Sequence, residues 1–194
     1  EGIFDNVFVT GNTIVDSLIE VSRKNNKINI EGLDWFEKKI ILTTFHRREN
    51  WGSNIENIIL AILYIAKNHQ DVVFLIPMHL NPVVREPILK MIGSDNKQII
   101  LTEPLKYDEF VFAMKNCYLI LTDSGGIQEE APTFGKPVLI LRETTERPEA
   151  IQEGSSLLIG TKKNSIINNV NDLLISKDKY NTLSNKKNPF GDGN

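Results

Sequence analysis

Short apolar runs alternate with amphipathic segments along the whole chain, and this alternation limits the choice of folds more than any other feature. The runs are continuous and rich in β-branched side chains, which is typical of strands buried on both faces of a parallel sheet. Parallel neighbours need crossover connections, and the amphipathic segments are suited to crossover helices. The sequence therefore predicts an α/β fold with a doubly wound, Rossmann-like parallel sheet. The predicted strands are Val7–Thr10, Ile40–Thr44, Val72–Pro77, Gln98–Leu101, Tyr118–Thr122, Val138–Leu141 and Leu157–Ile159.

A long helix is predicted between the second and third of these strands. Apolar residues recur there at helical spacing and form a stripe that would pack into the core: Ile55, Ile58, Ile59, Ile62, Ile65 and Ala66. Further helices are predicted at Ile14–Arg23, Val83–Met91, Asp108–Lys115, Ile127–Thr133, Ser165–Ile175 and, with a weaker pattern, Lys179–Ser184. Pro148 would be the first residue of another helix, a position that favours proline.

Composition predicts one domain over residues 1–194, because 41% hydrophobic content in a chain of this length supports a single full core. A net charge of −3 gives no electrostatic reason to expect nucleic acid or an anionic membrane as a partner. The only cysteine, Cys117, lies in an apolar run and is expected to be a buried thiol, which suits the cytoplasm. The strand-like start and the turn-rich end NPFGDGN predict that the chain is a fragment of a longer protein.

The segment LTDSGGIQEEAP predicts an anion site, since a strand leads into Ser124, Gly125 and Gly126 and then into a helix. Glycines allow close approach of a ligand, and the first N–H groups of a helix are free donors at its positive end. Glu130 lies one helical turn beyond Gly126 and could accept hydrogen bonds from a vicinal diol, so a nucleotide would satisfy both groups. An ordinary strand–turn–helix corner explains the segment equally well. If Gly125 is the N-cap, Gln128 forms half of a capping box; if Ser124 is the N-cap, it does not.

Polar and cationic groups also follow three other predicted strands, where a doubly wound sheet binds its ligands. These groups are the run from His46 to Asn50, His79 with Asn81-Pro82, and the run from Glu143 to Pro148. Their convergence on one rim indicates a binding site.

Each of these residues taken alone has a structural explanation. His46 could be a hydrogen-bonded loop histidine, His79 part of a turn, and Arg47 and Arg48 surface charges. His69 is expected at a helix C-terminus, without a chemical role. The chain contains no HExxH, CxxC, Walker or GxSxG pattern, so no metal site and no serine triad is predicted.

The motifs VTGNTIVD, HRREN, HLNPVV, LTDSGGIQEEAP, GKPVLILRETTERPEA and NPFGDG resemble, in this order, the non-hydrolysing UDP-N-acetylglucosamine 2-epimerases. The resemblance covers nearly the whole chain. It implies the C-terminal half of a two-domain GT-B protein, with the N-terminal domain and the final C-terminal helix absent from this chain. Such enzymes eliminate UDP from C1 as a proton leaves C2, and re-addition on the other face gives UDP-N-acetylmannosamine. No metal or redox cofactor is implied.

The same resemblance implies residue roles. Ser124, Gly125 and Gly126 would hold the diphosphate and Glu130 the ribose hydroxyls, while Arg147 would approach the phosphates or the sugar. Both UDP-N-acetylglucosamine and UDP are the implied ligands, and the full-length parent is expected to be a homodimer.

Four further positions match the family's motifs. His46 corresponds to the active-site histidine and would act in acid/base chemistry. Phe110 falls in the uracil pocket, where Leu105 stands in place of a glutamine found in some members. Arg47 and His79 match positions that bind a second UDP-N-acetylglucosamine as an allosteric activator.

The family's catalytic carboxylates belong to the absent domain, so this chain alone is predicted to be inactive. Glu49 and Glu146 are expected to orient Arg47, Arg48 or Arg147 and not to replace those carboxylates. Two alternatives stay open: the donor-nucleotide domain of a GT-B glycosyltransferase, and a non-catalytic nucleotide-sugar sensor. A hydrolysing epimerase is less favoured, because it is often joined to a kinase domain.

Overall fold

A computed structural model describes residues 11–24, 28–93 and 96–193 of the chain. Its centre is a parallel sheet of six strands: β1 Lys39–Thr44, β2 Val72–Pro77, β3 Ile99–Thr102, β4 Leu119–Thr122, β5 Val138–Ile140 and β6 Ser156–Leu158. The strand order is β3-β2-β1-β4-β5-β6, and every pairing is parallel. This order reverses between β1 and β4, so the predicted doubly wound, Rossmann-like fold is confirmed.

Helices cover both faces of the sheet. They are α1 Thr13–Arg23, α2 Ser53–Asn68, α3 Pro82–Ile92, α4 Tyr107–Asn116, α5 Gly125–Glu130, α6 Pro148–Glu153, α7 Lys163–Ile175 and α8 Lys177–Ser184, with 3-10 turns at Arg48–Asn50 and Ala131–Phe134. None of the helices in the described part of the chain is long and apolar enough to cross a membrane.

The core consists of two layers separated by the sheet. Successive strand residues alternate between them, as the pleat requires, so Ile41 packs in one layer with α2, α3 and α7 and Leu42 packs in the other with α4. The predicted isoleucine stripe of α2 is buried. Cys117 is buried as predicted, and burial raises the pKa of its thiol to about 12.

Most predicted elements agree with the structure to within one or two residues, and the differences have local causes. The predicted strand Val7–Thr10 lies outside the described residues. The helix predicted at Ile127–Thr133 begins earlier, at Gly125, and its helical part ends at Glu130. A 3-10 turn follows, because Pro132 has no N–H to continue the α-helical bonding. Pro148 is the first residue of α6, as predicted.

Candidate functional site

The carboxyl ends of β1, β2, β4 and β5 form the rim on which the predicted site residues lie. Because β1 and β4 are neighbours across the switch point, the loop after β1 stands beside the Ser-Gly-Gly corner after β4. His46 and Arg47 come from the first of these loops and Ser124 and Gly125 from the second. The convergence expected from the sequence is therefore present in the fold.

Asp123 holds these two loops together. It directly follows β4, and its side chain is fully buried. Its Oδ2 accepts hydrogen bonds from the backbone N–H of His46 (2.8 Å), the backbone N–H of Arg47 (2.8 Å) and Nδ2 of Asn50 (2.9 Å). No role for Asp123 was predicted from the sequence. The only signal for it was a carboxylate placed straight after a buried strand.

The imidazole of His46 lies between Asp123 and His79. Its ring stacks on the ring of His79, with 5.1 Å between centroids and 8° between planes, and its Nδ1 lies 3.5 Å from Oδ1 of Asp123. Burial lowers the pKa of His46 from 6.5, and His79 and Arg47 act in the same direction, whereas the Asp123 charge opposes them. His46 is therefore a neutral base or hydrogen-bond donor at neutral pH.

His79 also contributes to a turn. Its Nδ1 accepts the backbone N–H of Asn81 at 3.1 Å, and Asn81 in turn caps α3 by accepting the N–H of Val83 at 3.1 Å. The turn expected from Asn81-Pro82 is thus present. His79 also lies close enough to His46 for both side chains to belong to one site.

The corner after β4 has Ser124 as its N-cap, so Gln128 is not the partner in a capping box. Instead, Nε2 of Gln128 donates to the carbonyl of Ser124 at 3.1 Å, and the Ser124 side chain makes no capping hydrogen bond. An added Cβ on Gly125 would lie 3.3 Å from Nη2 of Arg47. The guanidinium of Arg47 therefore lies against the start of α5, where it adds positive charge to the free N–H groups.

Glu130 occupies the far end of α5 and is buried, with 5% of its surface exposed. Tyr107 Oη donates to Oε1 of Glu130 at 3.0 Å. Burial raises the pKa of Glu130, and the neighbouring Glu129 adds to this effect, whereas the bond from Tyr107 opposes it. Tyr107 was not identified from the sequence, although its hydroxyl is the partner of the predicted ribose-binding carboxylate.

Arg147 lies beside α5, in contact with Glu129. Its Nε donates to Oε1 of Glu129, and Nδ2 of Asn12 donates to the other oxygen at 2.7 Å. Thr145 links the same loop to the corner, because its hydroxyl donates to Oε1 of Gln128 at 2.6 Å and accepts the N–H of Arg147 at 3.1 Å. Arg147 is therefore on the rim, but its guanidinium is already paired in this structure.

The sequence-based prediction that Glu49 and Glu146 orient Arg47, Arg48 or Arg147 is wrong for their carboxylates, because both carboxylates pair with Arg142. Nε of Arg142 donates to Glu49 at 2.6 Å, and Nη1 and Nη2 donate to the two oxygens of Glu146 at 2.5 and 2.9 Å. The side chain of Arg142 is only 5% exposed, so it requires partners, whereas the other arginines reach solvent. The Arg142 guanidinium lowers the pKa of Glu146 to about 2.

Phe110 and Leu105 are half-buried and pack against the core layer under α4.

His69 is the C-cap of α2, as predicted, and its Nε2 lies 2.8 Å from Oδ1 of Asn171. Because His69 precedes β2, it stands at the opposite end of the sheet from the rim. Among the described residues, no cluster of three or more His, Cys, Asp or Glu side chains could hold a metal ion.

Sequence comparison identifies relatives along the whole chain. The family model described as UDP-N-acetylglucosamine 2-epimerase matches residues 1–194. The UDP-N-acetylglucosamine 2-epimerase of Escherichia coli (strain K12) is 46% identical over 196 residues, which cover 96% of this chain and 52% of the relative. For the enzyme of Yersinia pestis, the identity is 47% over 197 residues, with 96% and 52% covered. The chain thus spans about half the length of the curated relatives it matches.

Solved structures agree with this result. The Neisseria meningitidis UDP-GlcNAc 2-epimerase bound to UDP-GlcNAc is 45% identical with a TM-score of 0.89, covering 98% of this chain and 53% of that one. The Methanocaldococcus jannaschii enzyme in complex with UDP-GlcNAc and UDP is 34% identical with a TM-score of 0.79, covering 99% and 53%. The fold, the order of the motifs and the identity over nearly the whole length lead to one conclusion: this chain belongs to the UDP-N-acetylglucosamine 2-epimerase family.

Proposed function

We propose that this chain is the UDP-binding, C-terminal domain of an enzyme that interconverts UDP-N-acetylglucosamine and UDP-N-acetylmannosamine by elimination and re-addition of UDP. The observation that carries the proposal is a single rim with the Ser-Gly-Gly corner and an arginine at one end of α5 and a buried carboxylate at the other. Gly125 lies against Arg47, and Glu130 is buried one to two turns further along the helix. A nucleoside diphosphate has charges and hydroxyls that complement both.

The diphosphate would bind at Ser124, Gly125 and Gly126. The Ser124 side chain makes no capping bond, and Gly126 is exposed. Outside its own helix, no atom of the described residues comes within 4 Å of a Cβ added at Gly126, so a ligand can approach the backbone there. Arg47 supplies a guanidinium at the same place, and a guanidinium binds phosphate oxygens in bidentate fashion. These donors would stabilise UDP most strongly as it departs with its full charge, which is how a binding site accelerates elimination.

Glu130 would accept hydrogen bonds from the ribose hydroxyls, and Phe110 would contact the uracil. Burial of the Glu130 carboxylate makes an unmet acceptor costly, so hydroxyl donors are favoured as partners. Tyr107 supplies one such donor in this structure. Arg147 would approach the phosphates or the sugar by exchanging Glu129 for the ligand, since its guanidinium stays partly exposed.

His46 would act in acid/base chemistry near the sugar. Its pKa is lowered by burial, so at neutral pH the neutral imidazole is available to accept a proton, which the resulting imidazolium can then return. Arg47 and His79 flank the same histidine and would bind the allosteric nucleotide sugar implied by the family resemblance.

No cofactor is proposed, and the remaining catalytic carboxylates would come from the other domain. The full-length parent would be a cytoplasmic homodimer.

Calorimetric titration of UDP into the 194-residue chain tests the binding part of this proposal. We expect saturable binding that Ser124→Ala and Glu130→Ala both weaken. Glu20→Ala and Ser17→Ala, at exposed positions of α1, are the matched controls and should leave the affinity unchanged. Binding that is insensitive to both rim variants would contradict the assigned site. Product analysis with the full-length enzyme separates the alternatives, since a glycosyltransferase yields a transferred sugar, a sensor yields no product, and a hydrolysing epimerase releases free sugar.

A further inference from the structure

We propose that the Asp123 carboxylate fixes the neutral imidazole of His46 as the Nδ1–H tautomer, so that Nε2 is its proton-accepting nitrogen. Asp123 would be a positioning residue that acts on the reaction through His46. The inference deepens the proposed function and rests on it for the catalytic meaning of a free Nε2. The tautomer itself is a property of this chain that can be measured without a nucleotide.

The two oxygens of Asp123 are in different situations. Oδ2 accepts three hydrogen bonds from the loop after β1, and these alone account for a structural role. Oδ1 is buried and has no hydrogen-bond partner in the part of the chain that the structure describes. A purely structural role needs only one oxygen, and an asparagine oxygen could accept the same three bonds. A carboxylate adds a second oxygen, and burying that oxygen without a partner costs free energy, so Oδ1 is expected to have a partner.

Oδ1 faces the imidazole of His46. The 3.5 Å between Oδ1 and Nδ1 is longer than an ordinary hydrogen bond, so the two atoms need to approach by only a few tenths of an ångström to form one. A proton on Nδ1 would then satisfy Oδ1. A lone pair on Nδ1 would face the lone pairs of the carboxylate and be repelled. The geometry therefore selects the Nδ1–H tautomer.

His46 is neutral at neutral pH, so its tautomer determines which nitrogen accepts a proton. Asp123 faces the ring from the end of β4, His79 from the end of β2, and Arg47 from the same loop. Burial, His79 and Arg47 lower the pKa of His46 against the opposing charge of Asp123. His79 provides a contrast, because its Nδ1 accepts the N–H of Asn81 and its proton must therefore lie on Nε2. The two stacked imidazoles should hold opposite tautomers.

Long-range proton–nitrogen correlation spectra of the chain labelled with 15N in its histidines test this inference directly. At a pH at which both imidazoles are neutral, we expect a protonated Nδ1 and an unprotonated Nε2 in His46, and the reverse in His79. His46→Gln and His79→Gln assign the signals. A His46 signal with its proton on Nε2 would overturn the proposal.

Asp123→Asn provides the second test, because it keeps an acceptor for the loop and replaces the other oxygen with an N–H donor. That donor requires a lone pair on Nδ1, so His46 should switch to the Nε2–H tautomer, as for the corresponding change in a Ser-His-Asp triad. Its pKa should fall, since a negative charge is lost. Asp172→Asn, which removes a surface charge paired with Lys179, is the matched control and should change neither property.

An Asp123→Asn variant that folds but keeps the wild-type tautomer and pKa of His46 would refute the inference. If the variant does not fold, the wild-type tautomers decide the question alone. The outcome is separable from the proposed function: Nδ1–H in His46 with no UDP binding would contradict the function and leave the positioning role intact. UDP binding with Nε2–H in His46 would do the opposite.

Discussion

Two buried carboxylates, Asp123 and Glu130, stand at either side of the Ser-Gly-Gly corner, and their surroundings differ. Asp123 is fully buried and receives three hydrogen bonds on one oxygen. Glu130 is 5% exposed and receives one hydrogen bond, from a tyrosine that is itself 44% exposed. One oxygen of the first carboxylate holds the loop after β1 in place, whereas the second carboxylate lies beside an exposed tyrosine, where a ligand can reach it.

On this one rim, Asp123 serves mainly the fold and Glu130 is the candidate for ligand binding. Asp123 joins loops that are far apart in sequence, so its removal should damage the site through the structure. Glu130 has a single hydrogen bond to its side chain in the described part of the chain, from Tyr107 of α4, and burial raises its pKa, which indicates that its ionised form is not fully compensated. An uncompensated carboxylate is the better candidate for exchange with ligand hydroxyls.

Asp123→Ala should produce the largest loss of stability among these changes. It leaves the N–H groups of His46 and Arg47 and the Nδ2 of Asn50 without their shared acceptor. We expect the free energy of unfolding to fall by about 3 kcal/mol, the cost of leaving several buried donors unpaired. Urea denaturation measures this loss, with Asp172→Ala as a surface control. A loss no larger than that of the control would show that water or a rearranged loop replaces the carboxylate.

Glu130→Gln should affect binding more than folding. The amide keeps the shape of the side chain and an acceptor oxygen, so the free energy of unfolding should change by less than about 1 kcal/mol. A charge-assisted bond to the ribose is lost, and the affinity for UDP should fall by about tenfold. Calorimetry and urea denaturation on the same sample measure both quantities. A large loss of stability with unchanged affinity would reverse the roles assigned to the two carboxylates.

The pH dependence of stability should distinguish Glu130 from the exposed carboxylate Glu146. The pKa of Glu130 is raised in the folded state, chiefly by burial, so its contribution is present below pH 4.5 and is lost as the pH rises through the folded pKa. The pKa of Glu146 is lowered from 4.5 to about 2 by Arg142, so its contribution is present above pH 4.5 and is lost as the pH falls toward 2. Solvent exposure keeps the second effect small.

Urea denaturation across this pH range, on the wild type, Glu130→Gln and Glu146→Gln, checks both signs. The stability of the wild type relative to Glu130→Gln should decrease as the pH rises above 4.5. Relative to Glu146→Gln, it should decrease as the pH falls below 4.5. Parallel curves for Glu130→Gln and the wild type would mean that the ionised form of Glu130 is fully compensated in the folded state.

The sequence was sufficient to predict the strands and helices, because they follow from local patterns of apolar residues. It was also sufficient to predict that the residues after several strands converge on one rim of the sheet. The apolar run Val72–Pro77 is a strand with the predicted bounds, and strand order alone brings His46 beside Ser124. Partners distant in sequence were not predictable, since no periodicity encodes them. Asp123 binds a loop 77 residues away, and Arg142 takes Glu49 from 93 residues away, where Arg47, Arg48 and Arg147 were equally plausible partners by charge.

The hydrogen bond between Tyr107 and Glu130 is another contact between residues distant in sequence that was not predictable. Among the variants with an expected effect, Tyr107→Phe should have the smallest one. The variant keeps the ring and removes one partly exposed hydrogen bond, so the free energy of unfolding should fall by about 0.5 kcal/mol. In the wild type, the ribose competes with the tyrosine hydroxyl for the Glu130 carboxylate, whereas in the variant this competitor is absent. We therefore expect a rise in UDP affinity of about twofold.

Tyr64→Phe is the matched control for this change, because Tyr64 is 46% exposed on α2, and its ring contact with Lys163 does not need the hydroxyl. It should alter neither stability nor affinity. A fall in UDP affinity for Tyr107→Phe, with Tyr64→Phe unchanged, would mean that the Tyr107 hydroxyl bonds to the nucleotide while Glu130 keeps it in place. In that case Glu130 would resemble Asp123 after all, since it would act by orienting a neighbour and not by receiving the ligand.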